Sequence, residues 1–147
     1  MIIGKETDTV YLSRLLQTDS RFSDVCNRLT HLLENHAIKY YFLDSTKDIW
    51  CRDYMPIQIE KDGFVQFRYE PFYLKDYLDL QTDPRVVVKE NRFNFYHKYS
   101  KINLDDGNIV SWKNKVIITD RVFDENPIYS SKHKLVSDIE ELLEALQ

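Results

Sequence analysis

The amino-acid sequence predicts an α/β or α+β fold, with residues 1–147 forming a single domain. Three observations predict it. Runs with strand character interleave with runs of helical spacing, which a helical bundle would not show. A chain of 147 residues is long enough to bury one core, and it contains no linker, low-complexity tract or repeat. Its hydrophobic fraction of 43% and charged fraction of 30% are those of an ordinary globular protein.

The elements follow in order. Thr9-Val10-Tyr11-Leu12 is a short β-rich run. Phe22, Val25, Cys26, Leu29, Leu32 and Leu33 recur at helical spacing, predicting a helix over 21–36 with Ser20 as its cap. Residues 38–43 (through Tyr40, Tyr41 and Phe42) read as a strong strand, and a polar loop over 44–47 follows. Alternation over 56–60 and 64–69, with Asp62-Gly63 as the turn signal between them, predicts a β-hairpin. Residues 71–83 are aromatic and acidic, helical or irregular, and the β-branched run Arg85-Val86-Val87-Val88-Lys89 has no settled context. Ile109-Val110-Ser111-Trp112, a polar turn and Val116-Ile117-Ile118-Thr119 read as a second hairpin. Asn126-Pro127 punctuates the chain. Leu135, Val136, Ile139, Leu142, Leu143 and Leu146 then mark a final amphipathic helix, with Ser130 or Ser131 near its start.

Composition excludes several function classes. Three glycines and no Gly-rich fingerprint argue against a phosphate-cradling loop. A net charge of −4 with scattered Lys and Arg gives no basic face for nucleic acid. No apolar run reaches the ~20 residues of a membrane span, and the N-terminus turns polar too soon for a signal peptide. Two cysteines, Cys26 and Cys51, support neither a disulfide framework nor a structural zinc, so a reducing, cytoplasmic setting is expected.

Two segments carry possible chemistry. Asp48-Ile49-Trp50-Cys51-Arg52-Asp53-Tyr54-Met55-Pro56 leaves the end of a strand, where loops build binding sites on a rigid frame. A carboxylate beside an aromatic plane suits a planar cation: the acid accepts parallel hydrogen bonds and the ring stacks on the face. The plainer reading is that Arg52 and Asp53 satisfy their own backbone and Trp50 simply packs. The second segment, Asn103-Leu104-Asp105-Asp106-Gly107-Asn108, reads first as a turn whose residues tolerate positive φ. Asp105, Asp106 and Asn108 could alternatively hold a metal in a structural domain, though the regular spacing of a calcium loop is absent.

The first segment resembles the Trp-x-Arg-Asp-x-x-Pro signature of agmatine deiminases and bacterial-type peptidyl-arginine deiminases. Leu104-Asp105-Asp106-Gly107-Asn108 resembles their acid-Gly-Gly-Asn segment, and Val116 to Asn126-Pro127 the strand and Asn-Pro element after it. The resemblance runs from about residue 38 to the end. It implies a partial pentein, an α/β propeller of ββαβ-type units, with roughly half of the five-bladed fold in this chain. It implies hydrolysis of a guanidino group to a ureido group with loss of ammonia, by a Cys nucleophile and a His acid–base. By this resemblance Asp53 matches a guanidinium-binding carboxylate, Trp50 the aromatic wall and Asp105 the acid that supports the catalytic His. The candidates are Asp53 and Asp105 as catalytic residues, and Trp50, Arg52, Asp53 and Asn108 as substrate-binding residues. No metal and no cofactor are expected.

The chain also departs from the family. None of His31, His36, His97 and His133 follows a glycine, so the Gly-His-x-Asp segment has no counterpart, and no late nucleophilic Cys is present. Asp106 stands where a second Gly is usual. Cys51 is a substitute nucleophile only if the segment is extended, which would turn Cys51 and Asp53 to one side, and if Arg52 favours the thiolate. The expected partners are a small guanidino substrate and either a complementary C-terminal half or a second copy. The alternative is an inactive module that binds guanidines or self-associates.

Overall fold

The computed structural model describes residues 7–93, 96–112 and 115–144. The architecture is mixed α/β, with several small sheets, none closed among the described residues. Leu146 and the turn residues 113–114 lie outside the described residues.

The first strand, β1 (Thr9–Ser13), pairs in parallel with β2 (Lys39–Leu43). Between them run a one-turn helix α1 (Leu15–Thr18), a 3-10 turn (Ser20–Phe22) and helix α2 (Ser23–Asn35). Asp19, not Ser20, starts this segment: its carboxylate accepts from the Arg21 amide at 2.9 Å, so the tighter turn forms first. Of the apolar stripe, Cys26 and Leu33 are buried, while Val25 and Leu32 are more than half exposed.

Helix α3 (Cys51–Tyr54) follows, then strands β3 (Ile57–Glu60) and β4 (Gly63–Arg68), which form the expected antiparallel hairpin. Its turn is Lys61-Asp62, one residue earlier than the sequence signal, and Gly63 opens β4. No described glycine has positive φ; the residues that do are Ala37, Ser45 and Arg92. After 3-10 turns at Phe72–Leu74 and Leu78–Leu80, the β-branched run becomes helix α4 (Pro84–Glu90). Asp83 caps it, accepting from the Arg85 amide at 2.9 Å, and Pro84 occupies the first turn, where its missing N–H costs nothing. Strand β5 (Tyr96–Asn103) returns parallel to β4, giving the order β3-β4-β5. Residues 57–103 are thus one ββαβ unit. Strands β6 (Ile109–Trp112) and β7 (Lys115–Ile118) form the second hairpin. A short α5 (Arg121–Asp124) and the final helix α6 (Lys132–Glu144) complete the described chain. Ser131 starts α6, its Oγ accepting from the Lys134 amide at 3.4 Å.

Two cores result. Alternation puts Ile57, Ile59, Val65 and Phe67 on one face of the sheet, where Leu135, Ile139 and Leu143 of α6 cover them at i, i+4, i+8 spacing. The other core gathers Leu43, Cys51, Tyr54, Tyr69 and Val87 around α3. Gln66 ties α3 to β4, donating to the Tyr54 carbonyl at 3.3 Å and the Phe67 carbonyl at 2.9 Å.

Candidate functional site

Helix α3 is a single turn set by Asp48, whose carboxylate accepts from the Trp50 amide at 2.8 Å. In one helical turn, positions i and i+3 share a face. Cys51 and Tyr54 are therefore buried together, and the Tyr54 hydroxyl reaches the Cys51 Sγ at 3.2 Å and the Asp48 carbonyl at 3.2 Å. Arg52 stays exposed and Asp53 half-buried on the remaining surface of the turn. This corrects the extended reading of the motif: residues 51 and 53, two apart on a helix, diverge by roughly 200°. Burial pushes the Cys51 thiol up, the reverse of an Arg-activated thiolate.

Four polar side chains hold this region: Asn91 and Thr82 lie outside the motifs, and Asn103 and Asn126 lie within them in roles that the motifs do not announce. The Asn91 side chain accepts from the Asp44 amide at 2.9 Å and donates to the Asp44 carbonyl at 3.1 Å, clamping the end of β2 to α4. Thr82 Oγ1, fully buried, accepts from the Lys47 amide at 2.9 Å. Asn126 accepts from the Asn103 amide and donates to the Asn103 carbonyl, each at 2.8 Å. Asn103 in turn accepts from the Glu70 amide and donates to its carbonyl, each at 2.7 Å. Asparagine does this because one amide can replace a missing strand partner with a donor and an acceptor. The chain that leads into Asp105 is thereby fixed.

After Asp105 the backbone makes a 3-10 turn (Asp106–Asn108), with the Asn108 amide donating to the Asp105 carbonyl at 3.0 Å. This turn meets α3. A Cβ built on Gly107 would collide with Asp53 Oδ1, and it would lie 3.3 Å from Asp53 Cγ and 3.5 Å from Asp105 Oδ1. Glycine is needed here for the close approach of a carboxylate, not for positive φ, since Gly107 has none. Asp106 fits the turn without that freedom, so the missing second glycine leaves it undistorted.

Charge around the turn is unevenly matched. Asp105 is buried (6% exposed) and receives Arg121 Nη2. Arg121 Nε lies 3.3 Å from Glu125 Oε1, a charge contact without hydrogen-bond alignment, which leaves that N–H unsatisfied among the described residues. Arg52 donates to the Ile109 carbonyl at 3.2 Å and stands 3.9 Å from Asp106. Asp53 accepts no hydrogen bond from the described residues. Burial, then the nearby charges of Asp105 and Asp48, push its carboxyl above the usual range. Asp106 is pushed up to about 6, first by burial and then by Asp53 and Asp105, with Arg52 opposing. Asp48 also rises, through burial. Tyr73, hydrogen-bonded to Tyr69 at 3.2 Å, is raised by burial and by the charges of Asp53 and Asp105.

The structure brings Asp53, Asp105 and Asp106 together with Arg52. Trp50 sits at the cap of α3 with its side chain largely exposed (67%). Asn108 turns its Oδ1 to the Thr119 amide and hydroxyl, while its Nδ2 is buried without a partner among the described residues. Asn108 Oδ1 is engaged by Thr119 and Asp105 is paired to Arg121, so two of the three residues of the metal alternative already have partners within the protein. Among the described residues no group of three or more His, Cys, Asp or Glu side chains is arranged to hold a metal ion. Nor is any helix among them long and apolar enough to cross a membrane. His31 bonds to Asn35 on α2, and His36 and His133 are exposed. No protein-family model matches the chain, and no curated protein matches it.

Proposed function

We propose that this chain binds guanidinium groups and is the substrate-holding part of an agmatine-deiminase-like guanidino hydrolase. The observation that carries this reading is the meeting of two carboxylates, Asp53 and Asp105, over Gly107. The two residues come from separate segments, each of which resembles a segment of that family. Two acids at one point repel each other, and a planar cation relieves the repulsion while satisfying both with charge-assisted hydrogen bonds. The neighbouring guanidinium of Arg121 on Asp105 supports the choice of cation. The ββαβ order of residues 57–103 is in keeping with a piece of a pentein propeller.

The reading stops short of catalysis by this chain. Its one cysteine near the pair is buried, with its thiol held protonated. Holding the substrate is therefore the role assigned, with the nucleophile and the acid–base His supplied elsewhere. Isothermal titration with agmatine tests this. Binding to the wild-type chain is expected, with Asp53→Asn weakening it at least about tenfold, the worth of one charge-assisted hydrogen bond. Wild-type and Asp53→Asn chains of equal affinity, or no heat in either, would refute it.

A second reading, self-association, has its own observation. Parallel strands are normally covered on both faces, yet Tyr11 and Tyr41 stack at 5.9 Å on an exposed face of β1–β2. Light scattering showing only monomer at high concentration would remove it.

A further inference from the structure

Resting on the guanidinium-site reading above, we infer that Arg121 is an internal occupant of that site: its guanidinium holds the Asp105 half of the acidic pair until a guanidino ligand displaces it. Arg121 and Asp105 are unequally placed. The Asp105 side chain is 6% exposed, whereas that of Arg121 is 42% exposed, so the cation can leave to water and the acid cannot. Its anchorage is also incomplete. Nη2 donates to Asp105, but Nε, 3.3 Å from Glu125, is buried without an aligned acceptor among the described residues. A guanidinium fork that fits its site uses parallel N–H pairs, and Arg121 does not achieve this.

The other half of the pair is open. Asp53 accepts no hydrogen bond from the described residues, although it lies against the same Gly107 as Asp105. Arg121 therefore neutralises one carboxylate without bridging the two. There is room for it to withdraw: Arg121, Glu125, Asn103 and Phe72 line an open cavity of about 770 Å³. A ligand that bridged Asp53 and Asp105 would exchange one cation for another at Asp105 and add a partner for Asp53. The consequence is a threshold. Weak or singly bonding cations fail to displace Arg121, and planar guanidino groups succeed.

Agmatine titration of wild-type and Arg121→Gln chains tests the inference. The variant is expected to bind about tenfold more tightly. The gain should persist in about 0.5 M salt, where exposed charges farther than a few ångströms are screened. An Arg28→Gln chain, which removes an exposed guanidinium on α2, serves as the charge control and should gain less. In the wild-type chain, the Arg121 Nε–Hε NMR signal should move as agmatine saturates the site. If Arg121→Gln does not fold, that signal decides alone. Agmatine binding with the Arg121 signal unmoved, or a variant gain confined to low salt, overturns the displacement and leaves guanidinium binding standing. Absence of binding by both the wild-type and Arg121→Gln chains removes both.

Discussion

The two cores of this molecule are built from different materials. Beneath α6, Ile57, Ile59, Val65, Phe67, Leu135 and Ile139 meet with no polar atom among their side chains. Around α3, the buried groups include Cys51, Tyr54 and Tyr69, each with a hydroxyl or thiol. The first core can only stabilise, because dispersion and apolar burial have no direction. The second also orients: the Tyr54 hydroxyl spans Cys51 and the Asp48 carbonyl and so fixes the turn that presents Asp53. The comparison teaches that stability and site geometry are carried by separate regions, which mutation can separate.

The largest effect is expected in the aliphatic core. Ile139→Ala should destabilise the fold by about 2–5 kcal/mol in chemical denaturation, through lost burial and a residual cavity. Agmatine affinity at a temperature where the variant remains folded should be unchanged. A shift in affinity would break the separation of the two regions.

Next comes Asp106. Its carboxyl is raised from 3.8 to about 6 in the folded chain. A raised carboxylate pKa means the folded state favours the protonated acid. The stability this contributes is present below about pH 4 and lost as pH rises through about 6. Asp106→Asn should therefore stabilise the protein at pH 7 by about 3 kcal/mol, with the advantage shrinking to about 0.5 kcal/mol near pH 4. Denaturation midpoints of the two chains between pH 4 and pH 7 would check it, and a constant difference across that range would contradict the cause given.

Gly107→Ala should cost about 1 kcal/mol, the low end of an overpacking penalty, because Gly107 is exposed and the added methyl displaces only the end of the Asp53 side chain. The cost should vanish in an Asp53→Ala background, because the backbone tolerates alanine and only the Asp53 carboxylate does not. A penalty of the same size in both backgrounds would place the strain elsewhere. Tyr54→Phe should cost no more, about 1 kcal/mol for a lost buried hydrogen bond. It should loosen agmatine binding as well, in contrast to Ile139→Ala.

The two cores also differ in how readable they were. Apolar periodicity, with the Asp62-Gly63 turn signal, points to the 57–68 hairpin and, by itself, to α6, since burial against one face forces that spacing. Around α3 the turn itself is set locally by Asp48 and Tyr54, but the segments that flank the site are fixed by side chains remote in sequence. Asn91, Thr82, Asn103 and Asn126 bond to backbone groups on other elements, and nothing local to them signals it. Helix α4 stays unsettled in the sequence for another reason: three consecutive valines favour a strand while Asp83-Pro84 signals a helix start. Strand β5 alternates poorly, with Tyr99 and Lys101 outward and both Ile102 and Asn103 buried. Asp53 and Asp105 were legible as candidates through their motifs, and their meeting over Gly107 was not. The Arg121 pairing was equally invisible, since a lone arginine after a strand has many partners open to it.

A double-mutant cycle on agmatine binding tests most directly whether Asp53 and Asp105 grip one ligand. Titrations would compare the wild-type, Asp53→Asn, Asp105→Asn and doubly substituted chains. Two acids sharing one guanidinium should couple, so that the double substitution costs less than the sum of the singles by about 1 kcal/mol or more. Losses that add within about 0.3–0.5 kcal/mol would mean independent acids, and the shared site would be contradicted.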